Sequence, residues 1–172
     1  MKYFLLFLTA ISGTLSATAQ TPEEKLAQLK ITLPQVSAPV ASYVNSVRVG
    51  NLLFLAGKGP LKENNEYVKG KVGKDLTIAE AYEAAKLTAM NQLAVLQKEL
   101  GSLQKVKRIV KVSGFVNSAD DFYEQPKVIN GFSDFMIQVF GEKGKHARTA
   151  LGVNALPFNM AVEVELIVEV EG

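Results

Sequence analysis

The chain has no cysteine and a single histidine, and its body holds no apolar run long enough to cross a membrane. Without cysteine there is no disulfide, no thiol nucleophile, no thiolate metal site and no lipid-bearing N-terminal cysteine. The lone histidine, His146, has no matching serine and aspartate pattern to make a triad, and one histidine gives little to a metal. A structural role is its simplest reading. Charge is also scarce: 19 basic against 17 acidic side chains give a formal +2, which argues against a general nucleic-acid or anionic-membrane binder. The basic run Gln104–Lys111 carries no interleaved aromatics for base stacking, so it reads as a solvated helix–strand junction. Gly57-Lys58-Gly59-Pro60 lacks the spacing of a phosphate loop and reads as a turn. No internal repeat and no cofactor motif is found, so neither cofactor nor metal is expected.

What is present begins with a leader. Lys2 precedes the apolar stretch Phe4–Ile11, and Ala17-Thr18-Ala19 has the small-x-small form of a cleavage site. The expectation is a signal peptide over 1–19, a mature chain starting at Gln20, and an exported protein, periplasmic or secreted, with no membrane contact after cleavage. An uncleaved membrane-anchoring helix is the rival, weaker because the run has no charged face.

The remainder has the length of one domain. Thr21-Pro22-Glu23-Glu24 is a capping box with proline at the first helical position, so a short helix and an extended lead-in occupy 20–40. The domain proper, 41–172, opens with apolar runs Tyr43–Val49 and Leu52–Ala56 split by Gly50-Asn51, a hairpin signal. Lys58–Asp75 is polar and glycine-rich, with a short strand near Tyr67-Val68. A second capping box, Thr77 to Glu80, starts a helix whose apolar stripe from Ile78 to Leu100 stops at Gly101. A strand over Arg108–Val116 follows, then a helix from Pro126 to Gly141 with Phe132 and Phe135 on its core stripe, and strands at Ala147–Val153 and Met160–Val170. This order predicts an α+β fold, a mixed sheet with two helices packed on one face. Along the last strand Val162, Val164, Leu166, Val168 and Val170 share the helix side. Glu163, Glu165, Glu169 and Glu171 share the other with Ile167.

Two residues of the C-terminal third invite a chemical reading. Arg148 lies on a predicted strand, and Glu163 follows the Leu156-Pro157 break. An arginine fork suits a small carboxylate, and a carboxylate beside it can position water. The same residues could instead form a structural ion pair, Arg148 with Glu163 or Glu165, and Glu163 alone could be a solvated strand position.

Tyr43-Val44, Ala56-Gly57 before Pro60, Asn130, Arg148, Leu156-Pro157 and Val162-Glu163-Val164-Glu165 together resemble the RidA family, also called YjgF or L-PSP endoribonuclease-like. The resemblance implies a chorismate-mutase-like fold and a homotrimer in which three sheets form a barrel with helices outside and ligand clefts between subunits. It implies hydrolysis of enamines and imines such as 2-aminoacrylate to 2-keto acids and ammonia. By the same resemblance Arg148 holds the substrate carboxylate, Tyr43 and Gly57 border the cleft, Asn130 lies beside it and Glu163 positions water. Two positions depart from the family pattern: Ala56 stands where a serine is usual, and Ala150 where a cysteine is frequent. The alternative is a trimer that binds a small carboxylate or amino-acid-like ligand without turnover, and a weak endoribonuclease is a third.

Overall fold

A computed structural model describes residues 20–36 and 41–172. The leader read at 1–19 lies outside them. The order is α1 (Pro22–Gln28), β1 (Ser46–Val49), β2 (Leu52–Lys58), α2 (Ile78–Leu100), β3 (Val106–Asn117), α3 (Gln125–Phe140), β4 (Ala147–Val153) and β5 (Val162–Val170). The five strands form one mixed sheet, ordered β1-β2-β5-β3-β4. All neighbours are antiparallel except β3 and β4, which run parallel because α3 carries the chain back between them.

The elements form where the sequence asks for them. Both capping boxes are made: Thr21 and Thr77 each accept from the backbone N–H three residues on, and Glu24 and Glu80 return the bond. Gly50, at φ +57°, turns the hairpin so that Val49 pairs with Leu52. On β5 the helix-side residues Val162, Val164, Leu166, Val168 and Val170 are all buried. They meet Ala85, Ala89, Leu93 and Leu96 of α2 and Val128, Phe132, Phe135 and Met136 of α3 in a single core. Helix α1 packs outside α3. Its Glu23 carboxylate accepts from the Ser102 hydroxyl and the Leu103 backbone N–H, both at 2.8 Å, tying α1 to the turn after α2.

Three expectations change. Strand β1 begins at Ser46 rather than Tyr43, and β2 runs on to Lys58, so Gly57-Lys58 is strand and not turn. The reason is a β-bulge: Leu55 pairs with Leu166 and Lys58 with Val164, so Ala56 and Gly57 together face Glu165. The bulge bends β2 away, and the β1 ladder ends where the Ala56 N–H meets the Asn45 carbonyl at 3.0 Å. The polar loop after β2 holds no full strand, only isolated bridges from Leu61 to Tyr67, from Lys69 to Met160, and from Val72 to Leu76 and Ser118. The helix-free face is partly polar, as the last strand's alternation suggests, and carries apolar rows as well. Cross-strand partners put Val47, Phe54 and Ile167 in one row there and Phe115 and Leu151 in another.

Candidate functional site

Arg148 sits near the start of edge strand β4, in register with Val112 of β3, which in turn pairs with the buried Leu166. Its side chain therefore leans to the helix side of the sheet, where α3 presents Asn130 and Ser133 one turn apart. Guanidinium Nη1 donates to Asn130 Oδ1 at 2.9 Å and to Ser133 Oγ at 3.0 Å, and Nη2 reaches the Pro126 carbonyl at 3.5 Å. Every partner is a neutral acceptor. Both Nη1 hydrogens are thereby committed, while Nε and the second Nη2 hydrogen have no partner among the described residues. Nε and Nη2 form the edge that a carboxylate grips with two parallel bonds. Behind Ser133 stands His146. Its Nε2 lies 2.9 Å from Ser133 Oγ and its Nδ1 2.6 Å from the Gly144 carbonyl. Burial lowers the imidazole below its ordinary value, the Gly144 carbonyl partly opposes this, and the charge of Arg148 adds a smaller lowering effect.

Glu163 occupies a different place. It pairs across the sheet with Phe115, and Phe115 with Leu151, three residues along from Arg148 and on the opposite, helix-free face. It borders a cavity of about 350 Å³ lined by Tyr43, Gly57, Lys58, Tyr67 and Phe158 among others. Gly57 leaves the room that the Glu163 carboxylate occupies: a Cβ on it would stand 2.1 Å from Glu163 Oε1, so the carboxylate would have to move. Burial, and then the neighbouring Glu165 carboxylate, push the Glu163 carboxyl up from its ordinary value. Lys58 donates to Asn45 Oδ1 at 2.6 Å, and burial lowers its ammonium. Tyr67 stacks on Phe158 with ring centres 5.6 Å apart and planes 9° from parallel. Phe158 is 58% exposed and adopts φ +56°, a left-handed conformation uncommon for an aromatic residue, directly after the Leu156-Pro157 break.

The five residues singled out from sequence thus fall into two clusters, Arg148 with Asn130 and Tyr43 with Gly57 and Glu163. Within one chain the structure does not bring Arg148 to Glu163, and no Arg148 ion pair with Glu163 or Glu165 forms. That corrects the expectation of two facing partners. Alternation decides it: odd and even steps across three strands put the two side chains on opposite faces.

This division on a mixed five-stranded sheet frames the likeness to known proteins. The sequence model for the YjgF/chorismate mutase-like family matches residues 23–170. The chain belongs to that family. Protein TCP17 of Trypanosoma cruzi is 43% identical over 145 residues, 84% of this chain and 91% of its own length. The 2-iminobutanoate/2-iminopropanoate deaminase of Dermatophagoides farinae is 30% identical over 142 residues, 82% of this chain and 95% of its own. Among solved structures, Atu1372 of Agrobacterium tumefaciens superposes with a TM-score of 0.81 at 43% identity, covering 88% of this chain and 94% of that one.

Several site residues were not singled out from the sequence. Ser133 stands three positions after Asn130, so helical spacing alone puts it on the face that meets Arg148. Lys58 was hidden inside an apparent glycine turn. Tyr67 and Phe158 come together only through the fold, 91 positions apart and without a shared motif.

Proposed function

We propose that this YjgF-family protein binds 2-imino or enamino acids by their carboxylate and hydrolyses them to 2-keto acids and ammonia, at a cleft formed between copies of the chain. The observation that carries the reading is that Nε and the second Nη2 hydrogen of Arg148 have no partner among the described residues, while its other hydrogens meet only neutral acceptors, so that its charge stays available for an anion. The Glu163 cavity of a neighbouring copy supplies the other half. Its carboxyl, whose proton affinity is raised first by burial and then by Glu165, is suited to exchange a proton with water. Water adds to C2 of the C=N bond as Glu163 takes one of its protons. Glu163 passes that proton to the imine nitrogen to complete the carbinolamine, then relays the carbinolamine hydroxyl proton to the same nitrogen, so that the C–N bond breaks and ammonia leaves as the carbonyl forms. The 30% identity to an iminobutanoate/iminopropanoate deaminase supports the substrate class. The exposed Val47, Phe54 and Leu151 on the helix-free face support assembly, and a homotrimer is the form that the family resemblance implies.

An amino-acid oxidase acting on alanine can generate 2-iminopropanoate in situ, with semicarbazide as trap. The protein is expected to lower semicarbazone yield in proportion to its concentration. Arg148→Lys keeps the charge but loses the two-pronged edge, so it should weaken the effect and the binding of pyruvate by roughly tenfold or more. Absence of any effect by the wild-type protein would overturn turnover. Ala56 and Ala150 favour a second reading, binding without hydrolysis, because they withhold the hydroxyl and thiol frequent in the family. Pyruvate bound in an Arg148-dependent way, with no change in semicarbazone, would select it.

A further inference from the structure

Asn130, Arg148, Ser133, His146 and the Gly144 carbonyl form one continuous hydrogen-bonded chain, and its proton positions follow from chemistry. The Gly144 oxygen can only accept, so His146 Nδ1 carries the hydrogen at their 2.6 Å contact. In the neutral ring Nε2 is then an acceptor, and the Ser133 hydroxyl donates to it at 2.9 Å. That turns a Ser133 lone pair toward Arg148 Nη1 at 3.0 Å. Ser133 is 7% exposed, so few other partners compete for its hydroxyl.

We propose that Ser133 and His146 are positioning residues for Arg148, and that through them carboxylate binding at the guanidinium is coupled to proton uptake by His146. The inference rests on the reading of Arg148 as the carboxylate holder. The Ser133 oxygen accepts from Nη1 whether its hydroxyl donates to a neutral Nε2 or its second lone pair accepts from a protonated one, so the serine holds Nη1 and leaves the Nε edge facing outward in both states. The guanidinium charge in turn opposes a second charge on the imidazole. A bound carboxylate offsets that charge, so His146 takes up a proton more readily in the complex. By reciprocity the carboxylate binds more tightly as pH falls through the His146 transition. Other charged groups on the surrounding elements have partners of their own. Glu142 pairs with Lys145 at 2.8 Å, Asp134 of α3 accepts from Tyr82 at 3.0 Å, Lys127 pairs with Glu124, and Lys111 of β3 donates to Thr149 at 2.9 Å. Lys143, in the turn before β4, has no ion-pair partner among the described residues.

His146 is the only histidine in the chain, so its imidazole gives a single, assignable NMR titration. Three results are expected of the full-length protein. Saturating pyruvate raises the His146 midpoint. Arg148→Gln raises it in the absence of pyruvate. Calorimetric pyruvate affinity rises several-fold as pH falls through that midpoint in the wild type but stays flat in His146→Gln. Ser133→Ala should weaken pyruvate binding about three- to tenfold, with Ser133→Thr restoring it. A His146 midpoint unmoved by Arg148→Gln overturns the coupling whether or not pyruvate binds, and a Ser133→Ala affinity equal to wild type overturns the positioning role. If pyruvate fails to bind while Arg148→Gln still moves the midpoint, the chain of contacts stands and the carboxylate reading of Arg148 fails instead.

Discussion

Glu163 shows how a single carboxyl can serve function against stability. Its folded-state proton affinity is raised by burial and by Glu165, so folding disfavours its ionised form. Between the ordinary carboxyl range and the raised folded value the native state holds more protons than the unfolded one, and stability falls as pH rises through that window. Above it the full penalty persists. Glu163→Gln removes the ionisation while keeping the shape, so the variant should melt higher than wild type at pH 7. The difference should vanish near pH 4, and imine hydrolysis should be lost. Thermal denaturation at the two pH values checks this, and a lower melting point at pH 7 would show that Glu163 is stabilised by its surroundings. Arg148 and Glu163 were both legible in the sequence as chemically apt residues. Their separation was not, because which face a strand residue takes depends on register with its neighbours, and no local pattern states that register.

Among the elements, the bulge in β2 is the joint on which the Glu163 cavity is built. It leaves the Ala56 carbonyl outside the ladder, and Gln92 of α2 meets it. Gln92 Nε2 donates to the Ala56 carbonyl at 3.0 Å and to the Val164 carbonyl at 2.7 Å, with the side chain fully buried. Gln92→Leu would fill similar space but take the donor from the buried Val164 contact and the part-buried Ala56 contact, offset in part by removal of a Gln92 Oε1 that has no partner among the described residues, for a net cost of about 1–3 kcal/mol. Denaturant unfolding should record that loss, and the cavity should deform with it, so that 2-keto acids bind less tightly than to wild type. A leucine variant as stable as wild type would mean that the bulge does not depend on the glutamine. From the sequence, Gln92 sits within an apolar helical stripe and gives no sign of its partners. The helices, their caps and the last strand were readable because each is coded by neighbours a few positions away. The bulge is set by pairing between residues more than a hundred positions apart.

At the scale of the whole molecule, one face of the sheet is closed by helices and the other presents Val47, Phe54 and Leu151 to the outside. A lone chain leaves those side chains in water, and among the described residues no further strand lies beside β1 or β4, a combination that natural sheets usually cover. Sedimentation equilibrium of the chain from Gln20 onward should therefore return three copies at micromolar concentration. Phe54→Glu, placed mid-face, should shift the distribution toward monomer while each chain keeps its helical signal. A wild-type monomer would remove the inter-copy cleft. The two-sided placement of Arg148 and Glu163 has a further consequence in heredity. In the proposed trimer, a lesion at Arg148 in one gene copy and a lesion at Glu163 in another damage opposite faces, so mixed assemblies contain some junctions where an intact arginine meets an intact carboxylate. Two alleles, each inactive alone, would partly rescue one another when expressed together.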